Sequence, residues 1–163
     1  MTKFAILAAD ATRARFFTLE PAEFPLVETN PKILEHEVLI DPELRLPGRE
    51  LFSDPKSGRN RAPGGGPAHG YDDHREKHLV ELEKRFAKVV ANEVLRLLAE
   101  KNANRLVVAA EEKMSGHLAP LLAEAPASIE WVEKEYTHLS PQEIHEKLAA
   151  LNLVPAPKKP AAS

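Results

Sequence analysis

Cysteine is absent from this chain of 163 residues, which excludes a disulfide framework and any cysteine-ligated zinc site. Long apolar runs are missing as well. The N-terminal FAILAA run is six residues long and meets Asp10, too short for a signal peptide or a membrane span. The expectation is a cytoplasmic protein that makes no membrane contact. No GxSxG, P-loop or Rossmann fingerprint occurs, so the common nucleophile-elbow and nucleotide-binding classes have no foothold. No internal repeat is visible. The net charge is −3; mild acidity argues against bulk coating of duplex nucleic acid but leaves room for a local site. The 43% apolar content suffices for one domain with a real core.

A long stretch without hydrophobic period, from Asp41 to Asp72, reads DPELRLPGRELFSDPKSGRNRAPGGGPAHGYD. Loops of this length in compact domains are uncommon and are usually either functional or disordered. Between Arg45 and Tyr71 it carries Arg45, Arg49, Lys56, Arg59 and Arg61 against Glu50 and Asp54. The basic charge of an acidic chain is thus concentrated where the backbone is freest to approach a partner. Gly64, Gly65 and Gly66 expose consecutive peptide N–H groups without side chains. Basic side chains beside bare amides suit phosphate contacts.

Around this loop the pattern is α/β. Phe4–Ala9 reads as a buried strand, and Arg13–Leu19 as its hairpin partner after a turn. Leu26–Leu39 alternates loosely across Pro31 and predicts one or two short strands. The strongest helical signal runs from Asp73 to Lys101, with Leu79, Leu82, Phe86, Val89, Val90, Val94, Leu97 and Leu98 on one face. Arg105–Ala110 predicts a second buried strand, Lys113–Glu124 a helix interrupted at Pro120, and Ser128–Val132 a last strand. Ser140, Pro141 and Glu143 form a capping-box start for a final helix. The order predicts a mixed sheet flanked by helices in a single domain over residues 1–153. The Pro/Ala/Lys-rich residues 154–163 read as a disordered tail.

The segments ILAADATRARFFTLE, RELFSDPKSGRNRAPGGGPAHGYDDHREKH, RFAKVVANEV, RLVVAA and YTHLSPQEIHEKL, in this order and spacing, resemble the bacterial host attachment protein family. The resemblance runs from Lys3 to Leu148, its most specific parts being the ADxxRARxF opening and the THLSP closing; EEKMSGHLAP departs from the family pattern. That family is grouped with bacterial and archaeal relatives of the eukaryotic class-1 release factor and Pelota. The resemblance implies a ribonuclease-H-like fold similar to the release-factor middle domain, with a basic Gly loop before the longest helix, and contact with the ribosome or tRNA. The release factor carries Gly-Gly-Gln at the loop tip, whereas Gly64–Gly66 are followed here by Pro67. The resemblance therefore speaks against termination activity.

Arg49, Lys56, Arg59, Arg61, Gly64, Gly65, Gly66 and His69 are the candidate RNA-binding residues, against the plainer account of a solvated loop. Asp10, Arg13 and Arg15 form a possible secondary site, although Asp10-Ala11-Thr12 is good turn chemistry and Asp10 bonding Thr12 or Arg13 would explain it. Thr137 to Pro141 read as a helix start that leaves His138 unexplained. His74 and His78 lie four apart on a helix and could share a metal, with His69 and Asp72 or Asp73 completing the shell. HREKH is not HExxH, however, and a charged helix start in solvent accounts for it more simply. A metal nuclease of ribonuclease-H type needs clustered carboxylates at strand ends, and Asp10 is the one that stands out. The sequence-based expectation is a non-catalytic RNA-binding protein without cofactor or bound metal. The rivals are a metal-dependent hydrolase using Asp10 and the loop histidines, and an interaction protein affecting attachment to host cells.

Overall fold

Two strands whose side chains are apolar or small throughout, save for an arginine at the start of the second, can be stable only if both sheet faces are covered. FAILAA (β1, Phe4–Ala9) and RLVVAA (β4, Arg105–Ala110) meet that condition at the centre of a five-stranded sheet of order β3-β2-β1-β4-β5. The computed structural model describes residues 2–41 and 68–160. β2 (Arg13–Glu20) and β3 (Lys32–Ile40) continue antiparallel from β1, while β4 and β5 (Ser128–Val132) run parallel to it. The chain leaves β1 toward one edge and later returns to the other, so the sheet has its switch point between β1 and β4.

The period-two alternation of the central strands sorts their side chains onto two cores. Ala5, Leu7, Ala9, Leu106 and Val108 face the first helix α1 (Ala68–Lys101) and α2 (Glu112–Leu121), joining Phe86, Val90, Val94, Leu98, Met114 and Leu118. Ile6, Ala8, Val107 and Ala109 face α3 (Pro141–Ala150), joining Phe17, Tyr136, Ile144 and Leu148. The result is a three-layer α/β arrangement. β2 alternates regularly, so Phe16 and Phe17 enter opposite cores, and the β2–β3 register shifts between Arg15 and Phe17, where β3 carries one extra residue.

The structure corrects several sequence-based boundaries. α1 begins at Ala68, so residues 68–72 of the segment expected as loop are helical, His69 among them. At 34 residues the helix is about 50 Å long by its 1.5 Å rise, far longer than six-residue strands beneath it. Its residues 75–79 therefore run past the sheet, and Leu79 is exposed; Val89, farther along, points to the solvent side. Leu26–Leu39 yields one strand, starting after Pro31, preceded by a turn in which Val27 N and Glu28 N donate to Phe24 O. Pro120 lies within α2 one residue from its end and does not break it; the helix gives up the bond that an N–H at 120 would donate to the Gly116 carbonyl and ends one residue later. Residues 154–160, expected as a tail, are placed against the domain. Val154 is buried, His145 Nε2 donates to Pro155 O at 2.8 Å, and Asn30 and Lys158 exchange backbone hydrogen bonds.

The capping box at α3 matches its sequence signature. Glu143 N donates to Ser140 Oγ at 3.1 Å and Ser140 N to Glu143 Oε1 at 2.9 Å. Ser140→Ala is expected to cost about 1 kcal/mol, read as a fall in the denaturant midpoint at unchanged slope; Ser140→Gly should cost less.

Candidate functional site

β1 ends by handing the chain to a tight turn, and Asp10 builds that turn. Its Oδ1 accepts from Thr12 N at 2.8 Å, Arg13 N at 2.9 Å and Thr12 Oγ1 at 3.2 Å. This is the local turn bonding that the sequence predicts for Asp10-Ala11-Thr12. It uses only one carboxylate oxygen. The other, Oδ2, accepts from Thr137 Oγ1 at 2.8 Å and lies 3.4 Å from Arg13 Nε.

Thr137 reaches Asp10 because β5 is parallel, through β4, to β1. Their carboxyl ends share one rim of the sheet, and residues 133–139 return along that rim after β5. Ligand sites of open α/β sheets characteristically lie outside this rim. Thr137 N and Oγ1 both lie 2.5 Å from Glu135 Oε1. Glu135 Oε2 is 3.1 Å from His138 Nε2, and an Arg13 guanidinium nitrogen is 2.7 Å from His138 Nδ1. Arginine can only donate. The same Arg13 nitrogen is 3.4 Å from His138 Nε2, so it lies beside both ring nitrogens.

Arg15 fastens this layer to the sheet. Its Nε and one terminal nitrogen each donate to a separate Glu35 oxygen at 2.8 Å, a bidentate pair between β2 and β3. Its other terminal nitrogen donates to Thr137 O at 3.0 Å and Leu139 O at 2.6 Å. The guanidinium also stands 5.2 Å over the Phe17 ring. The hydrogen bonds to Glu35 push the Arg15 pKa further up, so the clasp stays cationic.

Desolvation alone pushes the Asp10 carboxyl up. The hydrogen bonds from Thr12 N, Thr137 Oγ1, Arg13 N and Thr12 Oγ1 outweigh it together and hold Asp10 below the ordinary aspartate value. Asp10, Glu135 and His138 each present a ligand-type atom, and these atoms lie within 4.8 Å of one another.

Of the residues singled out in the sequence, Asp10, Arg13 and Arg15 thus meet at one site, together with His138. Glu135, Thr137 and Glu35 complete it. Glu135 went unnoticed because it follows β5 rather than lying in a strand. Its only signal is spacing, three residues before His138 and two before Thr137. Arg49, Lys56, Arg59, Arg61, Gly64, Gly65 and Gly66 lie outside the described residues. For His69 and His74 only the helical backbone is described, and His78 is exposed on α1. The segment 42–67 nonetheless has a defined root. Asp41 is buried and its N–H donates to Thr12 O at 2.8 Å, while Arg13 pairs with Ile40. Asp41, the last described residue before the basic segment, therefore stands beside the Asp10 turn.

Residues 5–148 match the family described as "Protein required for attachment to host cells". The chain belongs to this family. The match includes both the Asp10–Arg15 and the Glu135–Ser140 halves of the rim site, so the site lies within the region common to the host attachment family. No curated protein matches the sequence. Among solved structures, the chain is similar to the type II variant of the Aquifex aeolicus Ppx/GppA phosphatase, at 12% identity and a TM-score of 0.42, over 81% of this chain and 36% of that one. It is also similar to the Aquifex aeolicus member of the Ppx/GppA family, at 13% identity and a TM-score of 0.37, over 80% of this chain and 35% of that one. The host attachment family chain thus spans about a third of the length of these two structures.

Proposed function

We propose that this host attachment family protein is a cytoplasmic, non-catalytic RNA-binding protein that contacts a ribosome- or tRNA-associated site through its basic segment. The observation that carries the reading is the concentration of Arg45, Arg49, Lys56, Arg59 and Arg61, against Glu50 and Asp54, in a chain of net charge −3. The finer fold reading belongs to the same proposal. An antiparallel β1–β3 meander extended by two parallel strands, with the longest helix directly after the Gly loop, accords with a ribonuclease-H-like domain related to the release-factor middle domain.

The reading includes no peptide release. Gly64–Gly66 offer close backbone approach, but Pro67 lacks both a backbone N–H and a side-chain amide with which to orient water. The family description favours a second reading, an interaction protein that affects attachment to host cells.

Replacing Arg49, Lys56, Arg59 and Arg61 together by alanine is the test of RNA contact. Ribosome co-sedimentation should weaken, and the salt dependence of RNA binding should flatten by about one slope unit per lost phosphate contact. The melting temperature should hold, since arginine and lysine side chains are rarely buried in a core. An unchanged affinity and salt slope would remove the RNA reading and leave the interaction reading.

A further inference from the structure

We propose that Asp10, Glu135 and His138 bind one divalent metal ion of the manganese or zinc class at the carboxyl rim of the sheet. Two carboxylates and an imidazole are a mixed oxygen–nitrogen donor set. It is harder than thiolate sites and softer than the all-oxygen cages of magnesium and calcium. Three protein ligands leave open coordination positions, the pattern of reactive rather than structural metal sites. The ligands come from turns at opposite ends of the chain that the parallel β1–β4–β5 order brings together, and their donor atoms lie within 4.8 Å of one another. His138, with 68% of its side chain exposed, gives an ion a way in.

The charge pattern of the site points the same way. Thr137 N donates to Glu135 Oε1, which leaves the Thr137 hydroxyl hydrogen for Asp10 Oδ2. Asp10 and Glu135 set two carboxyl groups beside His138, and Arg13 is the cation in contact with Asp10 and His138. A divalent ion adds positive charge where two acidic groups converge.

Arg13 also sets the sign of a discriminating test. A metal on His138 Nδ1 takes the place of the Arg13 donor directly. A metal on Nε2 meets the same donor, whose nitrogen stands 3.4 Å from that atom. Binding transfers no electron in either case. On either nitrogen, Arg13 must release His138, so Arg13 and the metal compete.

The experiment is a titration of the full, tag-free chain with manganese(II), followed by electron paramagnetic resonance of the free ion, with zinc(II) as competitor and no RNA present. The expected result is one saturable site per chain. Asp10→Asn should weaken it by more than about a hundredfold, beyond the roughly 10–100-fold loss usual for an outer-shell partner. The asparagine carbonyl keeps the Oδ1 contacts of the turn, so the fold is retained. His138→Ala, at an exposed position, should weaken binding likewise. Arg13→Ala should tighten it, an outcome that general destabilisation would not produce. A His74→Ala/His78→Ala double variant should bind as the parent does. Absence of a saturable site overturns the proposal. So does binding unaffected by Asp10→Asn and His138→Ala, or binding lost only in the α1 double variant. Because RNA is absent, failure here leaves the RNA reading standing, and failure of RNA contact leaves this one standing.

Discussion

Phe86→Ala is expected to destabilise the protein by about 3–5 kcal/mol and to lower Tm by on the order of 10 °C. Phe86 is 4% exposed and belongs to the core beneath α1 that also contains Leu106 and Val108 of β4. That core has little room to collapse around a missing ring, because its neighbours are fixed on two sides. β1 and β4 are held by parallel pairing across all six of their residues, and α2 closes the layer through Met114 and Leu118. The natural comparison is Val89→Ala, three residues along the same helix, at a side chain 52% exposed. It should change stability by no more than about 0.5 kcal/mol. Equal effects in chemical denaturation would mean that the helix presents a different face to the sheet.

Arg15→Ala is expected to cost about 2–4 kcal/mol, between the values for exposed and buried ion pairs. Only 14% of the Arg15 side chain is exposed, and 25% of Glu35, so the pair is largely shielded from water. Its loss leaves the Glu35 carboxylate without its bidentate partner and the carbonyls of Thr137 and Leu139 without their charged donor. The effect should not be confined to stability. Arg15 holds the backbone on either side of His138, so amide hydrogen exchange over residues 137–140 should accelerate in the variant. Glu35→Gln keeps an acceptor for Arg15 and should cost less than half as much. If Arg15→Ala leaves both the melting curve and exchange at 137–140 unaltered, the clasp contributes nothing in solution.

What could be read from the sequence follows from the range of the forces involved. FAILAA and RLVVAA are legible as buried strands because no other local structure hides an uninterrupted apolar run so short. Ser140-Pro141-Gln142-Glu143 is legible because a capping box is completed within one turn. Asp10 is legible as a turn former for the same reason: the groups that satisfy its Oδ1 lie within three residues. Leu79 misleads because helical periodicity says which residues share a face, not how far the partner sheet extends; Val89 misleads because it sits at the margin of that face, beside buried Val90, and turns to solvent. The helix start at Ala68 is hidden by Gly70 and by the absence of apolar side chains around it. The tail misleads through composition. Its prolines and lysines read as solvated, while Val154 and the Asn30–Lys158 pairing hold it in place. The meeting of Asp10 with Thr137, Glu135 and His138 has no local signature at all. It depends on strand order, which a hydrophobic pattern does not encode.

The contact from Thr137 to Asp10 spans 127 residues of sequence, and the contact from His138 to Arg13 spans 125. On the ribosome, chains emerge N-terminus first at about 5–20 residues per second. Asp10, Arg13 and Arg15 are therefore made long before the segment that completes their site, and no nascent chain that stops short of His138 can display it. The rim site in this sense reports that synthesis has passed His138 and that β1, β4 and β5 have paired. Any ligand that requires both halves meets only chains that have reached that stage, and binding there is linked to the folding of the sheet rather than to one hairpin or helix.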